Sequence, residues 1–109
     1  MHISITPYKE LLYGGEESIY DHICEGYSVS DSVITYLKSG QLTLASPGVY
    51  PHPFEKGVNL HGPYVYTDGT YCWDRDTWIY VTEYGLMLPQ EFVDHVMRNY
   101  QNPKTEHNQ

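Results

Sequence analysis

Apolar positions recur every three or four residues in four segments of the chain, the spacing that places side chains on one face of a helix. This pattern predicts helices over Glu16–Glu25, between Ser30 and Gly40, between Asp74 and Gly85, and from Pro89 to the start of a polar tail. Ser30 and Asp74 are residue types that cap helix N-termini, and glycine is favoured where a helix ends. We expect the first two helices to form an antiparallel pair.

Apolar and polar positions alternate in other segments, and alternation predicts strands. The predicted strands are His2–Thr6, Gln41–Ala45 and a hairpin over Tyr64–Trp73. Asp68-Gly69 supplies the hairpin turn, because a tight turn needs residues that tolerate positive φ. The sequence therefore predicts an α+β fold, with about four helices packed against a small antiparallel sheet.

The chain of 109 residues is expected to form a single domain, with residues 46–63 as a long loop rich in proline and glycine and residues 101–109 as a flexible tail. A loop longer than about 12 to 15 residues inside a compact domain is usually functional or mobile. This loop carries Tyr50, His52, Phe54 and His61, and such aromatic and imidazole content argues against simple disorder.

The charge of the chain limits its partners, because 14 Asp and Glu oppose 6 Lys and Arg, for a formal net charge of -8. A field of this sign disfavours direct binding to nucleic acid or to anionic membranes and favours encounter with basic proteins. No segment approaches the roughly 20 apolar residues of a membrane span. The N-terminus shows no signal peptide, and the two cysteines have no disulfide-scaffold spacing, so we expect a cytoplasmic protein.

Two kinds of chemical site deserve comparison with the residues present. A zinc site would need Asp21, His22, Cys24, His52 and His61, which lack the paired spacing of structural zinc ligands, so we expect no metal or cofactor. A thiol nucleophile at Cys72 would need His61 as base and Asp68 or Asp74 to orient it. Neighbouring carboxylates raise a thiol pKa, so a small Cys/His-dependent enzyme stays an alternative and a non-enzymatic protein is preferred.

Twelve tyrosines and two groups of acidic residues favour protein binding. Tyrosine is enriched at interface hot spots, and carboxylates steer a basic partner toward them. We expect a protein partner, a basic toxin or nuclease, to bind the following residues: Glu16, Glu17, Asp21, Tyr50, His52, Phe54, Glu55, Tyr66, Asp68 and Tyr71. The alternative is that the acidic groups are two ordinary solvated helix faces.

Four segments carry a resemblance to a known family: Tyr36-Leu37-Lys38-Ser39-Gly40, Ser46-Pro47-Gly48, Thr67–Trp73 and Tyr80–Phe92. Their order is similar to that of small bacterial proteins in which a strand ending in Thr-Asp-Gly leads to a Trp, a helix with Tyr-Val, and Leu-Pro-x-x-Phe. These proteins resemble the immunity proteins encoded beside polymorphic toxins, and the similarity extends over roughly residues 33–97. The shared residues are those that build hairpin, caps and packing.

The resemblance implies an immunity protein that binds and neutralises a cognate bacterial toxin by occluding its active site. One alternative is a phage-encoded inhibitor that mimics nucleic acid and blocks a bacterial defence nuclease. A dimeric housekeeping binding protein is a further alternative. The identity of the neighbouring gene separates the first two.

Overall fold

The structure is a computed structural model that describes residues 3–11, 15–46, 48–62 and 64–107, with the backbone alone for residues 100–107. Its strands are β1 (Ile3–Ser4), β2 (Gln41–Ala45), β3 (Val49–Pro51), β4 (Asn59–His61), β5 (Tyr64–Thr67) and β6 (Tyr71–Asp74). Its helices are α1 (Asp31–Lys38), α2 (Thr77–Tyr84) and α3 (Gln90–His107), and a 3-10 turn covers Ile19–His22. His2 of the predicted first strand and the last two tail residues lie outside the described residues.

The main sheet is mixed, so the prediction of a small antiparallel sheet is wrong. Its order is β1-β6-β5-β2, and β1 pairs parallel with β6 through the register Ile3↔Tyr71 and Ser4↔Cys72. The β5-β6 hairpin and the β2-β5 pair are antiparallel, as expected. A parallel pair between the first strand and the last needs a long connection, and no local pattern in the sequence announces that pairing.

The prediction of about four helices is also wrong, because the described residues form three α-helices and one 3-10 turn. The segment Glu16–Glu25 follows a different path. Ile23 forms an antiparallel bridge with Leu86, and the Cys24 amide donates to the Gly85 carbonyl at 2.9 Å. Ile19 is still fully buried, so the apolar spacing marked a core contact rather than a helix. The predicted antiparallel helix pair is lost with this helix.

The other three predicted helices are present. α1 lies between Ser30 and Gly40, and α2 ends at Gly85, which has a left-handed φ of 76°. The amides of Phe92 and Val93 donate to the Pro89 carbonyl and start α3. The α3 backbone continues to His107, through residues that the sequence assigns to the tail.

Asp74 does not cap α2 as predicted, because it is the last residue of β6 and is 1% exposed. Asp76 occupies the N-cap position, without a side-chain capping bond. The Asp74 carboxylate instead accepts a hydrogen bond from the Asp76 amide at 2.8 Å, and Thr77 Oγ1 donates to the Asp74 carbonyl at 2.6 Å. These bonds fix the tight turn from the strand into the helix.

Trp73 on β6 lies at the centre of the core and is fully buried. Its indole N–H donates to the Leu37 carbonyl at 2.9 Å, and its ring contacts those of Tyr36 and Phe92. A side chain at Gly40 would lie 2.8 Å from this ring, which explains the glycine after α1. α1 and α3 therefore pack on the sheet around one tryptophan.

The segment 46–63 contains two strands that the sequence did not indicate. β3 and β4 form an antiparallel two-stranded sheet with Tyr50 opposite Leu60. Residues 52–58 connect them at a tip where Gly57 has a φ of 82°. This hairpin projects Phe54 and Glu55 toward the 3-10 turn and α2, which is where the candidate site is found. No helix among the described residues has the length and apolar character needed to cross a bilayer.

Candidate protein-binding surface

Three aromatic rings from three separate parts of the chain meet at the tip of the β3-β4 hairpin. Phe54 stacks on Tyr84 of α2, with ring centroids 4.3 Å apart and planes 12° from parallel. Tyr20 of the 3-10 turn meets Phe54 edge-on, with centroids 5.7 Å apart and planes at 89°. We call these rings the Phe54 surface, together with three exposed carboxylates: that of Glu55, which accepts from Tyr84, and those of Asp21 and Glu83, which neighbour Tyr20 and Tyr84 in the chain.

Hydrogen bonds hold the outer rings of this surface in place. The Tyr20 hydroxyl donates to the Pro53 carbonyl, and the Tyr84 hydroxyl donates to the Glu55 carboxylate. The bond to Glu55 raises the pKa of Tyr84 to about 12, with smaller contributions from burial and from the charges of Glu55 and Glu83. The same bond fixes the direction of the exposed Glu55 carboxylate beside the Tyr84 ring.

The His52 side chain holds the backbone of the hairpin tip in place through hydrogen bonds. Its Nδ1 accepts hydrogen bonds from the amides of Phe54 and Glu55, each at 3.0 Å. Its ring lies edge-on to Tyr80 and Tyr84, with centroid distances of 6.0 and 6.1 Å. An Nδ1 that accepts two backbone bonds fixes the direction of the chain at the next two residues. His52 therefore sets where the Phe54 ring points.

Among the described residues, no arginine or lysine side chain forms an ion pair with the acidic side chains of the Phe54 surface. Arg75 pairs instead with the carboxylate of Asp76, at 3.5 Å, which lies outside the Phe54 surface. Arg75 also stacks over Tyr64, and Lys38 lies 4.1 Å from the centre of the Trp78 ring. Lys56 follows Glu55 at the tip and is exposed. The surface is thus rich in carboxylates and aromatic carbon.

The structure brings together three of the ten residues expected to bind a partner, His52, Phe54 and Glu55, and a fourth, Asp21, is exposed and follows Tyr20 in the chain. Glu16 and Glu17 are exposed in the segment before the 3-10 turn, and Glu17 pairs with His22 at 2.8 Å. Tyr50 is 4% exposed, and its hydroxyl donates to the buried Asp74 carboxylate at 3.4 Å. Tyr50 is therefore a core residue rather than an exposed anchor for a partner.

The remaining predicted residues, Tyr66, Asp68 and Tyr71, lie on the β5-β6 hairpin. The Asp68 side chain is 10% exposed and accepts hydrogen bonds from the Tyr36 hydroxyl at 2.5 Å and His95 Nε2 at 2.8 Å. Its other oxygen accepts from the amides of residues 70 and 71. Tyr71 packs edge-on against Phe92 and His95. This turn joins α1 to α3 and serves the fold.

The electrostatics of the turn agree with that structural role. Burial alone would raise the pKa of Asp68, but the hydrogen bonds from Tyr36, the two amides and His95 outweigh it and lower that pKa. Burial and the bond to Asp68 raise the pKa of Tyr36. The pair is therefore a carboxylate and a neutral phenol at neutral pH.

Three members of the Phe54 surface are missing from the predicted set, namely Glu83 and the two tyrosines, Tyr20 and Tyr84. The sequence places both tyrosines on apolar helix faces, Tyr20 in a helix that does not form and Tyr84 in α2. Their meeting joins residues 20, 54 and 84, which no short-range pattern relates. Tyrosine content and the two acidic groups are the sequence signals that favour such a surface.

Among the described residues, the geometry gives no support to a thiol nucleophile at Cys72 or to a zinc site. Burial raises the pKa of Cys72, a hydrogen bond with Ser4 opposes part of this effect, and the charge of Asp68 adds a smaller increase. Cys24 is exposed and reduced. Within the described ranges, no three His, Cys, Asp or Glu side chains come close enough to hold a metal ion.

Comparison of the chain with protein-family models, with curated protein sequences and with solved structures finds no match.

Proposed function

We propose that the protein is an immunity protein that acts in the cytoplasm and neutralises a basic protein toxin by binding it through the Phe54 surface. The observation that carries this proposal is the contact of Phe54 with both Tyr20 and Tyr84. These contacts place the acidic first third of the chain beside the acidic tip of the β3-β4 hairpin, with partly exposed aromatic rings between them. The resemblance of residues 33–97 to immunity proteins supports the same function.

The aromatic rings supply the anchors of the proposed interface. Tyr20 is 54% exposed, and Phe54 and Tyr84 are each partly exposed. Aromatic side chains bury a large area with few rotatable bonds, so they contribute much of the binding energy in interface hot spots. The hydrogen bonds of Tyr20, Tyr84 and His52 order these rings before binding, which lowers the entropy cost of association.

The carboxylates supply attraction to a basic partner. Asp21, Glu55 and Glu83 are exposed beside the rings, in a chain whose formal net charge is -8. A field of one sign speeds encounter with a partner of the opposite sign and suppresses other partners. A toxin that acts on nucleic acid needs a basic cleft, and an acidic protein bound across that cleft excludes the substrate. We propose that binding alone, without catalysis, accounts for the protection.

Co-expression with the product of the neighbouring gene tests the proposal. We expect the two proteins to co-purify and the cells that make the toxin to survive. The double variant Glu55→Lys/Glu83→Lys should lose both effects. Asp94→Lys, which makes the same acid-to-lysine change at an exposed position of α3, should keep them. Absence of a complex and of protection would refute the proposal. A complex with a defence nuclease instead of a toxin would replace it by the phage-inhibitor alternative.

A further inference from the structure

A groove opens beside the Phe54 surface, with a volume of about 430 Å³. It lies between the segment before the 3-10 turn and strand β3, and its walls include Glu10, Leu11, Tyr20, Tyr50, Pro51 and Pro53. Leu11 and Tyr50 are buried core residues, so the base of the groove is firm. A side chain that entered it would touch aromatic and proline carbon on one side and a carboxylate on another.

Tyr20 is the wall that the groove shares with the Phe54 surface. Its ring meets Phe54 edge-on, and its hydroxyl is tied to the Pro53 carbonyl. More than half of the side chain nevertheless stays exposed. The chain uses other rings, Trp78 and Tyr64, to hold its own cations Lys38 and Arg75. The Tyr20 ring is therefore an ordered aromatic surface open to a cation from outside.

Glu10 places a fixed negative charge in the same groove. One carboxylate oxygen accepts from the Ile19 amide and the other from the Ser18 hydroxyl, each at 2.7 Å. Burial would raise the pKa of Glu10, but these bonds and the charge of Lys9 outweigh it and lower that pKa. The Glu10 amide also donates to this carboxylate, which is thus ionised and oriented at neutral pH. Three of its roughly four lone-pair sites are engaged, and one remains for a further donor.

The Lys9 side chain also borders this groove, but it is exposed on a long flexible stem. Its backbone amide is engaged with the Glu17 carbonyl at 2.8 Å, whereas its ammonium can extend into solvent. The ordered groups of the groove are the ring of Tyr20, the two prolines and the carboxylate of Glu10. A flat cation with several N–H donors matches them better than a compact ammonium, because a guanidinium stacks on rings and pairs with carboxylates at once.

We infer that this groove receives the guanidinium group of an arginine side chain, stacked on Tyr20 and paired with Glu10. The inference rests on the proposed function, because a basic protein partner is the source of the arginine. The arginine would project from the toxin surface, beside the cleft that the Phe54 surface covers, and would anchor the toxin in the groove.

The groove can be tested without the toxin, by titrating N-acetylarginine amide into the full ¹⁵N-labelled chain. We expect weak binding, with shifts confined to the amides of residues 9–11, 19–20, 50, 52 and 54, since residues 51 and 53 are prolines and have no amide hydrogen. N-acetyllysine amide should bind more weakly than the arginine probe. Absence of shifts in the groove, or equal binding of the two probes, would overturn the inference.

Variants separate the ring from the charge. Tyr20→Leu should weaken the arginine probe about two- to five-fold, and Tyr20→Phe should keep most of the binding because the ring remains. Glu10→Gln should weaken it about five-fold while an unchanged spectrum elsewhere reports an intact fold. Glu91→Gln, at an exposed position of α3, is the matched control and should leave binding of the probe unchanged. Unaltered binding by Tyr20→Leu would contradict the assignment.

The same variants distinguish failure of the groove from failure of the proposed function. If the toxin complex forms and neither probe nor groove variant has an effect, the groove is wrong and the Phe54 surface stands. If the arginine probe binds the groove and no toxin complex forms, the proposed function fails and the site stands.

Discussion

Phe54 of the hairpin and Tyr84 of α2 stack face to face, with ring centroids 4.3 Å apart. The β3-β4 sheet shares no strand pairing with the main sheet among the described residues, so side-chain contacts hold it against the rest of the protein. The stack is one of these contacts. The edge-on contact between Tyr20 and Phe54 and the hydrogen bond from the Tyr20 hydroxyl to the Pro53 carbonyl are two others. The Phe54 surface therefore contributes to stability as well as to the proposed binding.

Phe54→Ala should lower the free energy of unfolding by about 1–3 kcal/mol, since it removes a half-buried ring and the aromatic pair. Urea unfolding followed by circular dichroism measures the change. Tyr84→Phe keeps the stack and removes the hydroxyl bond to Glu55, so it should have a smaller effect. Equal losses in the two variants would show that the stack contributes little.

Acid should weaken the turn around Asp68. Its folded-state pKa lies below the ordinary value of 3.8, so its stabilising contribution is present above that pH and is lost as pH falls through the lowered folded pKa. Asp68→Asn should cost about 1–3 kcal/mol at pH 6, because the bonds to Tyr36 and His95 lose their charged acceptor. The cost should shrink as unfolding is measured at steps from about pH 5 to 3. A cost independent of pH would contradict this role.

Asp74 should behave in the opposite way. Burial, with a smaller contribution from the charge of Asp76, raises its pKa from 3.8 to about 6. Its contribution to stability is greatest below the unfolded pKa and is lost as pH rises toward the folded value. Relative to wild type, Asp74→Asn should therefore gain about 1–3 kcal/mol between pH 4 and pH 7. Unfolding curves at the two pH values measure this gain, and a flat difference would place the pKa near its ordinary value.

Gly85 and Gly26 form a matched pair for testing the contact between α2 and the early segment. Both have positive φ, but a Cβ at Gly85 would lie 2.4 Å from the Cys24 carbonyl oxygen, whereas one at Gly26 would meet nothing within 4 Å. Gly26→Ala should cost about 1 kcal/mol for the strained φ alone, and Gly85→Ala clearly more. Thermal unfolding measures both. Equal losses of stability in the two variants would mean that the backbone near Cys24 moves away from the added methyl group without strain.

The parts of the fold that the sequence predicts are those with local causes. Asp68-Gly69 fixes the β5-β6 turn, Gly85 ends α2 and Pro89 starts α3, each through the conformation of a few neighbouring residues. The helix over Glu16–Glu25 fails because two distant residues, Gly85 and Leu86, provide backbone partners that an isolated helix would have provided itself. Apolar spacing alone cannot distinguish these cases, since Ile19 is buried in either.

The candidate site is less predictable because its members are distant in sequence. Phe54, Glu55 and Asp21 are acidic or aromatic residues in the expected regions and fall on one surface. Tyr50 is also an aromatic residue in the expected loop, but it is buried, and its hydroxyl donates a hydrogen bond to the Asp74 carboxylate. Whether a tyrosine anchors a partner or fills a core depends on tertiary packing, which residue type does not encode.

The dissociation constant of the toxin complex, measured by calorimetry at two salt concentrations, tests the central claim most directly. The Phe54 surface predicts that Glu55→Lys/Glu83→Lys weakens binding about ten-fold or more, that Asp94→Lys leaves it unchanged, and that wild-type binding weakens as salt rises. Equal affinity of wild type and the double variant, at both salt concentrations, would contradict the claim that this surface binds the partner.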